Sequence, residues 1–155
     1  MTHRKNLLKA ALLFNLLIFL AAAWIQAADK NSQPVHVTIG TILAGNQNDE
    51  FDARLKGMEK QLKVMKYRSY RWLKEESQDV AWGGNGVFEI PGGRSLSVAP
   101  QEIRNNRIAL KVRLTEGQKP IIDTTVRIPN KGNFILGGPP HEGGALVLSI
   151  SASAQ

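Results

Sequence analysis

The chain has 155 residues, no cysteine and a formal charge of +7. Without cysteine there is no disulfide, no thiolate metal cage and no cysteine for lipid attachment. The fold must be held by packing alone.

The N-terminus is the most ordered part of the pattern. Arg4, Lys5 and Lys9 form a basic start, and residues 10–25 follow without a charge. Small residues Ala27 and Ala28 then precede Asp29 and Lys30. This order predicts a secretory signal peptide over residues 1–28, cleaved after Ala27 or Ala28. The apolar run is shorter than the roughly 20 residues of a membrane span. An uncleaved segment holding the domain at a membrane is the alternative, and it would be the chain's only route to the membrane. Either way the expected location is outside the cytoplasm, in the periplasm.

Export changes the charge. Three of the 20 Lys and Arg residues leave with the signal peptide and all 13 acids stay, so the mature balance is 17 against 13, or +4. Such a charge mildly favours anionic surfaces. The cations are spread along the chain rather than gathered with stacking aromatics, which argues against a nucleic-acid partner.

Residues 29–34 read as a short polar lead, and a single domain is expected over 35–152. Val35, Val37 and Ile39 alternate with His36 and Thr38, the period of a half-buried strand. Gly45 to Asn48 break it. Phe51, Leu55, Met58, Leu62 and Met65 then recur at spacings of 4, 3, 4 and 3. This predicts an amphipathic helix, with Asp49 as its cap and Lys63 and Lys66 at its end. Gly57 weakens that helix.

Tyr70 and Trp72 lie in a second expected strand, near 67–76. Short strands follow at 87–90 and around Leu96 and Val98, separated by the Pro91-Gly92-Gly93 turn. Ile108, Leu110, Val112 and Leu114 alternate cleanly with polar residues, and so do Ile122, Thr124, Val126 and Ile128. Phe134–Leu136 is a short apolar run, and Leu146, Leu148 and Ile150 mark the last strand. The order is strand, helix, strand, then a β-meander. It predicts an α+β fold with one helix on a mostly antiparallel sheet. One helix cannot cover so many strands, so the sheet must curl or split into two layers.

The motifs Asp52-x-Arg54-Leu55, Tyr67-x-Ser69-Tyr70 and Pro91-Gly92-Gly93-Arg94-x-Leu96 come in this order. They are followed by Asp123-Thr124-Thr125, Ile135-Leu136-Gly137-Gly138-Pro139 and the strand Leu146–Ala152. In this the chain resembles a group of uncharacterised bacterial exported proteins over nearly its whole mature length. The resemblance implies an exported small domain. It implies no activity, substrate or catalytic residue, and it gives no expectation for Trp82-Gly83-Gly84-Asn85-Gly86.

No nucleophile elbow and no phosphate loop is present in the sequence. His36 and His141 are the histidines of the mature chain, and His36 is expected to face solvent. His141 and Glu142 sit among Pro139, Pro140, Gly143 and Gly144, in what reads as a polar loop or a plain hairpin connection. With His36 they are too few for a metal site. Glu75 and Glu76 should point to opposite faces of a strand rather than form an acid–base pair. Asp123 is expected to face outward and to pair across the sheet.

Two surface features remain. Arg107, Lys111, Arg113 and Arg127 fall on the outward face of two neighbouring strands, and they form a basic patch if those strands pair. Tyr67, Tyr70, Trp72 and Trp82 are core residues or an exposed anchor. The candidate binding surface is therefore Arg107, Lys111, Arg113, Arg127, His141, Trp72 and Trp82. The expected function is non-catalytic binding to, or assembly with, another envelope component, without a cofactor. A site for an anionic glycan or lipid is the alternative, and an envelope hydrolase is the least favoured.

Overall fold

The computed structural model describes residues 33–155. The expected signal peptide lies outside them, as does most of the lead. Eight strands follow in chain order: β1 Val35–Gly45, β2 Ser69–Val80, β3 Gly86–Ile90, β4 Arg94–Arg104, β5 Arg107–Glu116, β6 Lys119–Pro129, β7 Gly132–His141 and β8 Gly144–Ser153. They form two four-stranded antiparallel sheets, ordered β2-β1-β8-β7 (sheet A) and β3-β4-β5-β6 (sheet B). Strands consecutive in sequence pair with each other except β2 with β3 and β6 with β7, and β8 returns to pair with β1. The arrangement is an up-and-down ring broken at two seams, β2/β3 and β6/β7.

The alternating apolar residues meet between the sheets. Val35, Val37 and Ile39 of β1 and Leu146, Leu148 and Ile150 of β8 pack with Phe88, Leu96, Val98 and the four even-numbered apolar residues of β5. Burying each such side chain contributes about 1.5–3 kcal/mol. The expected two-layered sheet is therefore present, but the domain is mainly β.

The helix is shorter than its periodicity predicts. A 3-10 turn, Ala53–Met58, runs into a short helix, α1, Glu59–Lys63. Phe51 is not helical: it bridges to Tyr70 of β2. Asp52, not Asp49, caps the turn, through the Arg54 amide at 3.0 Å. Asp49 instead pairs with Arg68. Gly57 lies inside the 3-10 turn, and Lys66 in the left-handed region (φ 61°) follows the helix. The apolar stripe still serves its purpose. Leu55 and Leu62 cover Ile42, Ala44, Tyr70 and Val147 on the outer face of sheet A. The Tyr70 hydroxyl donates to the Leu62 carbonyl at 2.6 Å and fixes α1 to β2.

Two bulges set which side chains face out. Thr41 pairs with Lys74 but Ile42 pairs with Trp72, so Leu73 is an extra residue in β2. Pro100 pairs with Leu110 but Glu102 pairs with Ala109, so Gln101 is extra in β4. Strands also run further than expected. β7 continues through Gly137-Gly138-Pro139-Pro140 to His141, so that segment is strand rather than loop. Glu142 and Gly143 alone form the turn, both at positive φ (46° and 75°), as a two-residue hairpin requires.

The two seams are treated differently. At β2/β3, Gln78 Nε2 donates to the Val87 carbonyl at 2.7 Å and to Glu76 Oε1 at 3.0 Å. Lys74 pairs with the same Glu76 carboxylate at 3.2 Å. Side chains thus stand in for missing ladder bonds. At β6/β7 a comparable clamp sits at one end only. Asn130 exchanges two side-chain bonds with the Ala154 backbone, at 2.8 and 3.0 Å.

Candidate functional site

The alternation of β5 sends Ile108, Leu110, Val112 and Leu114 inward, so Arg107, Lys111 and Arg113 must face out. β6 lies beside it, with Arg113 opposite Asp123 and Ala109 opposite Arg127. The four predicted cations therefore do share one face. On its other side, β4 contributes Arg104, opposite Arg107, and Glu102, opposite Ala109. Without the bulge at Gln101, Glu102 would point inward with Leu96 and Val98. The sequence pattern gave no sign of this bulge, and so neither Glu102 nor Arg104 was expected at the site.

The face is a lattice of ion pairs with an excess of cations. Asp123 receives Lys111 and Arg113, the latter at 2.7 Å. Hydrogen bonds from Lys111 and Arg113 hold its carboxyl below the ordinary aspartate range. Glu102 binds Arg104 at 2.9 Å and lies 3.6 Å from Arg127. Arg107 donates to the Arg127 carbonyl at 3.0 Å. Five cations thus stand against two carboxylates, Glu102 and Asp123. Exposed pairs of this kind contribute little stability, about 0–1 kcal/mol each. They leave one outward sheet face on which cations outnumber carboxylates.

The other expected site residues lie elsewhere. Trp72 is on the outer face of sheet A, where its indole covers Gly40: a Cβ placed there would be 2.6 Å from the ring. Trp82 packs against the main core just beyond the end of β2. Tyr67 and Tyr70 belong to the small core beneath α1. The aromatic residues therefore do not form one surface.

His141 is at the end of β7 and only 17% exposed. It lies beside Gly92 in the β3–β4 turn, 3.7 Å from the Glu142 carboxylate. Arg94 occupies the same region. It donates to the Pro91 and Pro140 carbonyls and pairs with Glu116 at 3.0 Å. This ties the two sheets together at that end, which is where the motif Pro91-Gly92-Gly93-Arg94 acts.

His36 is exposed, as its position in β1 predicts, and it pairs with Asp79 at 2.7 Å. Glu75 and Glu76 do point to opposite faces, because they pair with Gly40 and Ile39. A shallow polar cleft of about 190 Å³ lies between the residues after β1 and the β7–β8 turn, lined by Gln47, Glu50, Arg71 and Glu142. Among the described residues, no group of three or more His, Asp or Glu is placed to hold a metal ion, and no helix is long and apolar enough to cross a membrane.

No family, curated protein or solved structure matches this chain.

Proposed function

We propose that this chain is an exported, non-catalytic binding domain whose β4–β6 face engages an acidic surface of another envelope component. One observation carries the reading: Arg104, Arg107, Lys111, Arg113 and Arg127 lie on one sheet face with only Glu102 and Asp123 among them. Their side chains are held by those two carboxylates and by the Arg127 carbonyl, so less side-chain freedom is lost on binding. A cationic face speeds the approach of an acidic partner and rejects basic ones. An anionic glycan or lipid headgroup presents the same chemistry and is the second reading.

The test is cross-linking of the tagged protein in its native envelope, beside a Lys111→Glu/Arg127→Glu variant. The reading expects one acidic protein, captured by the unaltered chain and lost from the variant. Capture that is indifferent to charge reversal counts against it. Charge-dependent sedimentation with anionic but not zwitterionic vesicles, without a captured protein, selects the second reading.

A further inference from the structure

The cationic face ends at a strand edge that has no partner strand. β6 is the last strand of sheet B. Its backbone directions follow from the β4–β5 hairpin. Asn105 and Asn106, both at positive φ, make a two-residue turn that Arg104 and Arg107 close as a hydrogen-bonded pair. Ile108, Leu110, Val112 and Leu114 must therefore direct their backbone groups toward β6. Their partners there are Ile128, Val126, Thr124 and Ile122. The alternate residues Asp123, Thr125 and Arg127 direct theirs away from β5, to the open side. Pro129, which has no amide to give, follows in the same set.

β7 lies alongside, but among the described residues these outward groups have no backbone hydrogen-bond partner, and only the Arg127 carbonyl is occupied, by Arg107. Proteins usually blunt such edges with proline, inward charge or side-chain cover. The β2/β3 seam is covered by Gln78. β7 carries Pro139 and Pro140. β6 has proline only near its ends, at Pro120 and Pro129, and none over 121–128. The apolar side of the same seam is also incomplete. Phe134 of β7 shares the inward face with Ile150, yet it is 36% exposed, and Ile122 is only partly buried.

Resting on the reading above, we propose that the partner docks on this domain by strand addition to β6. The segment that fits alternates acidic and apolar side chains. Its backbone pairs with Asp123, Thr125 and Arg127. Its acidic side chains lie on the outward face, beside Arg127 at the edge of the cationic surface. Its apolar side chains turn inward, beside Ile122 and toward Phe134. In strand addition, backbone bonds supply affinity and alternate side chains supply specificity.

The probe is a blocked peptide of about nine residues alternating Glu and Val, near the usual strand length. Amide exchange of the mature chain is followed by NMR as the peptide is added. Slowed exchange is expected at Asp123, Thr125 and Arg127, the amides on the free edge. Thr125→Pro removes one of those amides without touching the β5 ladder, and it should weaken binding about tenfold. If that variant does not fold, a peptide N-methylated along its pairing edge must lose binding by the same measure. Methylation of the opposite edge must leave binding intact. Protection at another edge, no protection at millimolar peptide, or equal binding of the two methylated peptides overturns the proposal. If cross-linking is lost on Lys111→Glu/Arg127→Glu but unchanged by Thr125→Pro, the cationic face stands and strand addition falls.

Discussion

Gln78 reaches from β2 across the first seam and donates to the Val87 carbonyl of β3 at 2.7 Å. No backbone ladder joins these strands, since β2 and β3 belong to different sheets. Gln78→Ala should therefore destabilise the domain by about 1 kcal/mol. Calorimetry should read this as a fall in Tm of about 4 °C. The local effect should exceed the global one, with faster amide exchange in β3 and little change in β5. Uniform acceleration in both strands would contradict the latch.

The same seam sets an acid limit. Partial burial raises the Glu76 carboxyl, but hydrogen bonds from Gln78, Lys74 and the Glu89 amide outweigh it and hold it below its ordinary value. Lys111 and Arg113 lower Asp123 likewise. A carboxylate whose pKa is lower in the folded state stabilises the fold above its unfolded value, and that contribution fades as the pH falls through the folded one. Stability should thus be level near neutrality and decline below about pH 4.3, the ordinary glutamate value. Glu76→Gln should flatten part of that decline in a urea titration series. An unchanged acid limb in the variant would remove Glu76 from this role.

Gly40 and Trp72 are matched in size. A Cβ at residue 40 would lie 2.6 Å from the indole, so Gly40→Ala forces the ring off the sheet. Overpacking of this kind costs about 1–3 kcal/mol. Trp72→Leu should relieve most of it in the double variant. If Gly40→Ala leaves both stability and tryptophan fluorescence unchanged, the ring does not rest on the glycine.

Tyr70→Phe leaves the ring in place beneath α1 but removes the hydroxyl bonds to the Leu62 carbonyl and from the Tyr67 amide. The expected loss is about 1 kcal/mol. Faster exchange should be confined to residues 53–66 and the start of β2. Acceleration spread through sheet B would contradict this account of the small core.

Much of the strand framework could be read from alternation, because β5 and β6 each have one wet face; β8 is buried on both faces, with Val147 under the small core and Ser149 also buried. His36, Asp123 and the four cations of β5 and β6 could be placed for the same reason. Three features could not. The helix periodicity of Phe51–Met65 was real as an apolar stripe, but Phe51 gains a bridge to Tyr70 and leaves the helix. Single bulges at Leu73 and Gln101 reverse the faces of Tyr70, Trp72 and Glu102, and a period-two pattern has no local mark for them. His141 was read within a loop, because Gly137 to Pro140 look like breakers. On an edge strand, proline costs no ladder bond.

The central claim concerns which face of the domain meets its partner. A photo-cross-linking amino acid at Thr125, exposed on the cationic face, and another at Ser77, exposed on the outer face of sheet A, separate the possibilities. Illumination in the native envelope should join residue 125 to one acidic partner. The product should be lost on Lys111→Glu/Arg127→Glu, and none should form at residue 77. Equal products from both positions, or a product at 125 that survives charge reversal, would contradict the account.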